Sequence, residues 1–175
     1  MSHITLLGKE EAPERAEPVL KEIEAKNGDV PISFRVLAAN PRLLKAQWSH
    51  HQAVMKPTDK VPRKMKEAIA LTVSVHNRSR YSIETHSKAL REVVGASKEE
   101  VEKIMDGTVT EEPLGPVLDF VRTVTVDATD VTRDQVAGLR KLGFNEAELL
   151  EIVAVAAHLN GFNRLLDALG VETGP

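Results

Sequence analysis

The chain contains no cysteine. That absence excludes a disulfide, a thiolate metal site and a thiol nucleophile. Aromatic residues make up only 3% of the sequence, while Ala, Leu, Val and Glu dominate, a bias toward helix over strand. No run of 18 apolar residues occurs, and no charged segment followed by an apolar one opens the chain. Neither a membrane span nor a secretory leader is therefore expected, and the expected location is the cytoplasm. Charge of one sign is not in excess: 23 Lys and Arg face 26 Asp and Glu, a formal net charge of −3. This predicts no polyanion-binding surface and no acidic tail. What is present is 42% apolar and 28% charged residues over 175 positions, enough for a packed core.

Start and stop signals divide the chain into helices. Residues 1–10 read as a loose arm. Pro13 is placed in the first turn of a helix through Lys26, stopped by Asn27-Gly28. Residues 31–39 suit one or two helical turns. Asn40-Pro41 reads as an N-cap followed by proline at the first helical position, opening a helix to about Met55. Pro62 opens the next helix, in which residues 65–75 are apolar on nearly every face, the mark of an element buried in the molecule or in an oligomer interface. A helix from Ser79 or Arg80 to Val94 follows, ended by Gly95. Ser97 with Glu100, and Thr132 with Gln135, spell capping boxes. Glu111-Glu112-Pro113 opens another helix, and Asn145 caps the last long one, which ends before Gly170. No strand is expected. The fold class is all-α, a helical bundle read as one structural domain, with an N-terminal helical arm (1–59) packing on a core (60–175).

The windows Gly95–Ile104 and Gly143–Ile152 echo each other, as a generic glycine stop before a capped helix or as a duplicated unit. The helix after Thr132 is followed by an acidic, apolar helix with few groups for phosphates or base edges, so nucleic-acid binding is not expected.

Residues 61–96 hold the candidate chemistry. Glu67 sits inside the apolar helix, where burial would favour its neutral form and suit a proton relay, or near the helix start, where it would be solvated. Ser79 suits an N-cap. Ser82 falls in the first turn of the second helix, where backbone N–H groups and the helix dipole favour an anion, and His86 lies one turn on. Offsets of three and four put Ser79, Ser82 and His86 on one stripe. A serine with a histidine is a weak nucleophile signal without an oxyanion hole. The six histidines form no recognised ligand spacing, so no metal site is expected. His158, Asn160 and Asn163 interrupt an apolar run, as pocket-lining groups or as one polar face of a terminal helix.

The run from Glu67 through Asn77-Arg-Ser79-Arg-Tyr-Ser82-Ile-Glu-Thr-His86 resembles the alkylhydroperoxidase D-like, carboxymuconolactone decarboxylase superfamily. That family's pattern is a helix with a Glu, then twelve residues later Cys-x-x-Cys-x-x-x-His. Both cysteine positions are serine here. The segment VPISFRVLAANPRLLKAQW is similar to the arm of the peroxidase-related members, and NGFNRLLDALGVE to their terminal helix. The resemblance implies a catalytic set of Glu67, Ser79, Ser82 and His86, with Tyr81, His158, Asn160 and Asn163 lining the pocket. Position 82 would hold the thiolate that attacks peroxide, position 79 the resolving thiol, and Glu67 with His86 the proton relay. It also implies no cofactor, a hydroperoxide or lactone-type substrate, a thiol reductant protein, and a homo-oligomer, trimer or hexamer. A serine hydroxyl neither ionises near neutral pH nor climbs the sulfur oxidation ladder, so the chain is expected to lack thiol peroxidase turnover. Other members work without the cysteine pair, by acid–base chemistry around the equivalent histidine, and a non-catalytic oligomeric binding protein on the same fold is the remaining alternative.

Overall fold

Asn40 opens its helix as the sequence anticipates: its Oδ1 accepts the N–H of Leu43 at 3.2 Å and its carbonyl that of Leu44 at 3.0 Å. The same economy recurs along the chain. In a computed structural model, residues 2–7 and 11–172 are described, and all regular elements among them are helical. They are α1 (Glu17–Asn27), α2 (Ile32–Arg35), α3 (Pro41–Met55), α4 (Arg63–Asn77), α5 (Arg80–Lys88), α6 (Lys98–Asp106), α7 (Leu114–Val126), α8 (Arg133–Lys141) and α9 (Glu146–Ala168). No helix of the described residues is long and apolar enough to cross a membrane. Residues 121–126, rich in Val and Thr, lie within α7.

Both capping boxes form, at Ser97 with Glu100 and at Thr132 with Gln135. Asn145 forms a third, accepting from Ala147 and Glu148 while Glu148 accepts the N–H of Asn145 at 2.8 Å. Lys64 Nζ lies 2.6 Å from Glu100 Oε1, and this cation, with the N–H of Ser97, holds the Glu100 carboxyl down to about 2. A lowered folded pKa means that this support is complete above the ordinary carboxylate range, near 4.5, and is lost as pH falls toward 2. Ser97→Ala is expected to lower stability by about 1 kcal/mol and Ser97→Gly by only a few tenths, read as the urea midpoint.

Two expectations shift. Pro13 does not enter the first helix: it precedes a single 3-10 turn, Glu14–Ala16, and α1 instead carries Pro18 in its own first turn. The helix after Ser79 does not stay α-helical to Val94, because Ala89–Val93 is π-helical and the N–H of Ala96 closes on the carbonyl of Leu90 at 2.8 Å. Wider i→i+5 bonding turns the last stretch while keeping Leu90 fully buried.

The chain falls into two compact units, Met1–Ala53 with Leu165–Pro175, and Val54–Arg164. In the first, Phe34 stands edge-on to Trp48 with ring centroids 5.2 Å apart, and Leu20, Ile23 and Leu44 are buried. Residues 2–7 of the expected arm are tethered: the N–H of His3 and Oγ of Ser2 both donate to the carbonyl of Leu169. Residues 1 and 8–10 of that arm lie outside the described residues. In the second unit α4 is central, packed by α5, α6 and α7. Every residue from Met65 to Ser74 is buried, which an apolar helix requires and which also commits Lys66, Glu67, Thr72 and Ser74 to the interior.

Candidate active site

The turn between α4 and α5 sets the site. Arg78 adopts the left-handed conformation, φ 58°, which only glycine accepts freely, at a cost of about 1 kcal/mol. The chain reverses there and the N–H of Ser79 returns to the carbonyl of Ser74 at 3.0 Å. The same six-residue closure ends α6, α8 and α9 at Gly107, Gly143 and Gly170. Ser79 then takes the N-cap position of α5 with an extended backbone, but its hydroxyl makes no cap bond. That part of the sequence reading is corrected: the Oγ of Ser79 is turned toward Ser82 and donates to the Oγ of Ser82 at 3.3 Å. Ser82 is the third residue of α5, in the turn whose N–H groups have no intrahelical partner. Both serines are buried.

His86 follows one turn later, also buried, and its Nδ1 lies 2.8 Å from Oε2 of Glu67 on α4. The carboxylate accepts the Nδ1 proton, so the imidazole keeps Nε2 as its basic nitrogen. Glu67 is 6% exposed, so the buried alternative for it holds. The Nε of Arg63, one turn earlier, lies 3.5 Å from Oε1 of Glu67 and places positive charge beside the acid. Among the described residues no hydrogen bond joins Ser82 to His86. The structure therefore brings the four residues together as two pairs, Glu67 with His86 and Ser79 with Ser82.

Tyr81 is buried in the first turn of α5, between the two serines in sequence. His158 is buried and stacks on Phe162 at 5.7 Å between centroids. Asn163, fully buried, donates from Nδ2 to Oγ of Ser74 at 3.1 Å, and Ser74 donates to the carbonyl of Ala70. Asn160 accepts from Asn77 Nδ2 at 3.1 Å and from Arg164. These two asparagines brace α9 against α4 and the end of the turn. Sequence reasoning missed Arg63, whose place four residues before Glu67 is a helix-pair signal, and the Ser74–Asn163 link, which no local pattern announces.

Residues 41–110 match the model of the carboxymuconolactone decarboxylase family. That segment is similar to the family. It contains the whole of α4 and α5 and hence all four of Glu67, Ser79, Ser82 and His86. No curated protein matches the sequence at a significant level. Among solved structures, the chain is similar to an uncharacterized peroxidase-related protein from Silicibacter sp. TM1040, with TM-score 0.87 and 22% identity over 99% of this chain and 92% of that one. It is similar to the alkylhydroperoxidase AhpD core, a peroxidase-related protein from Ralstonia eutropha JMP134, with TM-score 0.87 and 21% identity over 99% and 92%. A variant of the debrominase Bmp8 in complex with 2,3,4-tribromopyrrole aligns with TM-score 0.82 and 20% identity over 99% and 94%. The fold is the all-α, alkylhydroperoxidase D-like bundle.

Proposed function

We propose that this chain is an alkylhydroperoxidase D-like antioxidant protein whose thiol positions are held by Ser79 and Ser82, and which is redox-silent as it stands. One observation carries the reading: a buried Glu67–His86 hydrogen bond lies in the same unit as a buried Ser79–Ser82 pair at a helix start. With thiols at both positions, His86 Nε2 takes the proton of the position-82 thiol through an intervening water. Glu67 stabilises the imidazolium that forms. The thiolate attacks the peroxide O–O bond, giving a sulfenic acid and releasing an alcohol. The position-79 thiol condenses with the sulfenic acid to a disulfide and water, and an external dithiol reductant returns both thiols. The positive end of α5 favours the thiolate. A homo-oligomer, trimer or hexamer, belongs to the same proposal.

Hydroperoxide consumption by the Ser79→Cys/Ser82→Cys double variant, with a dithiol reductant, tests this reading. A folded double variant no faster than the parent would sink it. A second reading rests on the absence of cysteine beside an intact dyad: acid–base chemistry on a lactone-type substrate, with His86 Nε2 moving the proton. Turnover of such a substrate by the unmodified chain, lost in His86→Ala, would favour it.

A further inference from the structure

Helix α9 buries one side, from Leu149 through Ile152, Ala156 and Leu159 to Asn163. A helix that buries one apolar side usually turns a polar one to water. Here the outer side is apolar as well. Ala147, Leu150, Ala157, Gly161 and Arg164 are exposed and Ala154 is half-buried, at offsets of three and four that keep them on one face. Leu150 is 69% exposed. From Glu146 to Arg164, about 27 Å of helix, this face carries charge only at its two ends, an acid at the start and a cation at the finish. The other carboxylates of the stretch are engaged elsewhere: Glu148 closes the cap at Asn145, and Glu151 pairs with Lys66. Glu146 meets Arg140 through Oε1 alone, and among the described residues Arg164 gives only Nη1 to its own chain, to Asn160.

Gly161 has no reason within the chain. Glycine inside a helix costs about 1 kcal/mol relative to alanine. Its backbone is not left-handed, and a Cβ at this position would meet nothing within 4 Å. The open space above it has a match on the same face. When a copy of α9 is laid against this one end for end, with the crossing beside Ala154 and Ala157, Leu150 comes over Gly161 of the other copy. The same register sets Ala154 against Ala157, which lets the axes approach to the short end of helix packing distances. It also brings Glu146 to Arg164 of the other copy. One two-fold thus relates the bulky residue to the open space and the acid to the cation. Parallel pairing would instead set Arg164 against Arg164 and align the two helix dipoles.

We propose that the outer face of α9 docks on the same face of a second copy of this chain, antiparallel, about a two-fold axis beside Ala154 and Ala157. Leu150 of each copy fills the space over Gly161 of the other, and the Glu146 and Arg164 charges close both ends. This gives a face to the homo-oligomer of the proposed function and rests on that oligomer alone; the chemistry at positions 79 and 82 does not enter. Such an axis requires an even number of chains, so a hexamer contains it and a lone trimer does not.

Sedimentation equilibrium of the full chain should give an even multiple of 19.2 kDa. Leu150→Glu should halve that mass, weakening the pairing about a hundred-fold or more, because each copy would bury a carboxylate against an apolar centre. Its helix content should hold, since position 150 is mostly open to solvent in the single chain. The absence of cysteine gives a second test that does not depend on that variant. Leu150→Cys chains mixed with Gly161→Cys chains and oxidised should form a mixed disulfide, since those positions face each other. Either chain alone should stay uncoupled, because the like positions of two antiparallel copies lie about 16 Å apart, beyond the reach of a disulfide. No mixed product, or disulfides formed equally well by one variant alone, would overturn the proposal. So would an unchanged mass for folded Leu150→Glu. A monomeric parent would remove both the proposal and the oligomer it rests on, whereas a parent trimer would overturn the proposal and leave the homo-oligomer standing.

Discussion

Replacing Ser79 and Ser82 together by cysteine is expected to give a chain that consumes hydroperoxides catalytically with a dithiol present, where the parent is expected to consume none. The difference between the two atoms is large. A serine hydroxyl stays protonated across the working range, whereas a thiol at a helix start beside a base reaches the thiolate near neutral pH. The geometry waits for that change: the two Oγ atoms are 3.3 Å apart, so sulfurs in their place need little movement to bond. The single variants separate the roles. Ser82→Cys alone should react once, giving a sulfenic acid that a dimedone-type trap captures, and then stall. Ser79→Cys alone should be inert. In the double-cysteine background His86→Gln should slow consumption by about a hundred-fold, the low end of what a positioned base contributes. Glu67→Gln should act through the imidazole, moving the pH profile of the rate rather than peroxide affinity. A double variant in which His86→Gln costs nothing would remove the histidine from the proposed relay.

The second large effect concerns stability and lies away from the serines. Lys66 is 0% exposed. Its Nζ donates to the carbonyl of Val54 at 2.6 Å and pairs with Oε1 of Glu151, whose other oxygen accepts from Thr58 at 2.9 Å. A single ammonium thus bonds the last turn of α3, where carbonyls lack helical partners, and the first half of α9. Glu151→Ala leaves that ammonium buried with one acceptor and is expected to cost about 3 kcal/mol. Glu151 is itself 20% exposed, so water reaches the site and the low end of the range applies. Lys66→Met should cost less, because the remaining carboxylate can hydrate. The double variant Lys66→Met/Glu151→Leu should recover most of the loss, since a buried ion pair and an apolar pair of similar volume have comparable stability. Urea unfolding of these chains and of Glu151→Leu measures this, and a loss in the double variant equal to the sum of the Lys66→Met and Glu151→Leu losses would show that the pair does not act as a unit.

Local grammar carried much of this molecule. Asn40-Pro41, Ser97 with Glu100, Thr132 with Gln135, and Asn145 each announce a helix by pairing a capping side chain with an adjacent N–H, a relation that spans three residues and needs no tertiary contact. The all-α class follows from those signals and from the scarcity of aromatic and β-favouring residues. The stripe of Ser79, Ser82 and His86 was likewise legible, because helical spacing fixes which side chains share a face. Helical spacing does not say where that face points or which atom a hydroxyl chooses. Ser79 takes the N-cap position that it reads as, but its hydroxyl turns to Ser82 instead of to a backbone N–H.

The sequence by itself therefore determined the all-helical class, most helix starts and the shared stripe of Ser79, Ser82 and His86, since each depends on neighbours within one or two helical turns. Only the tertiary structure decided that Glu67 meets His86 across 19 residues, that Lys66 meets Glu151 across 85, and that Asn163 reaches Ser74 across 89. Those pairs are chosen by which helices pack together and by the cost of leaving a polar group unpaired inside, and neither is written in any short stretch of chain.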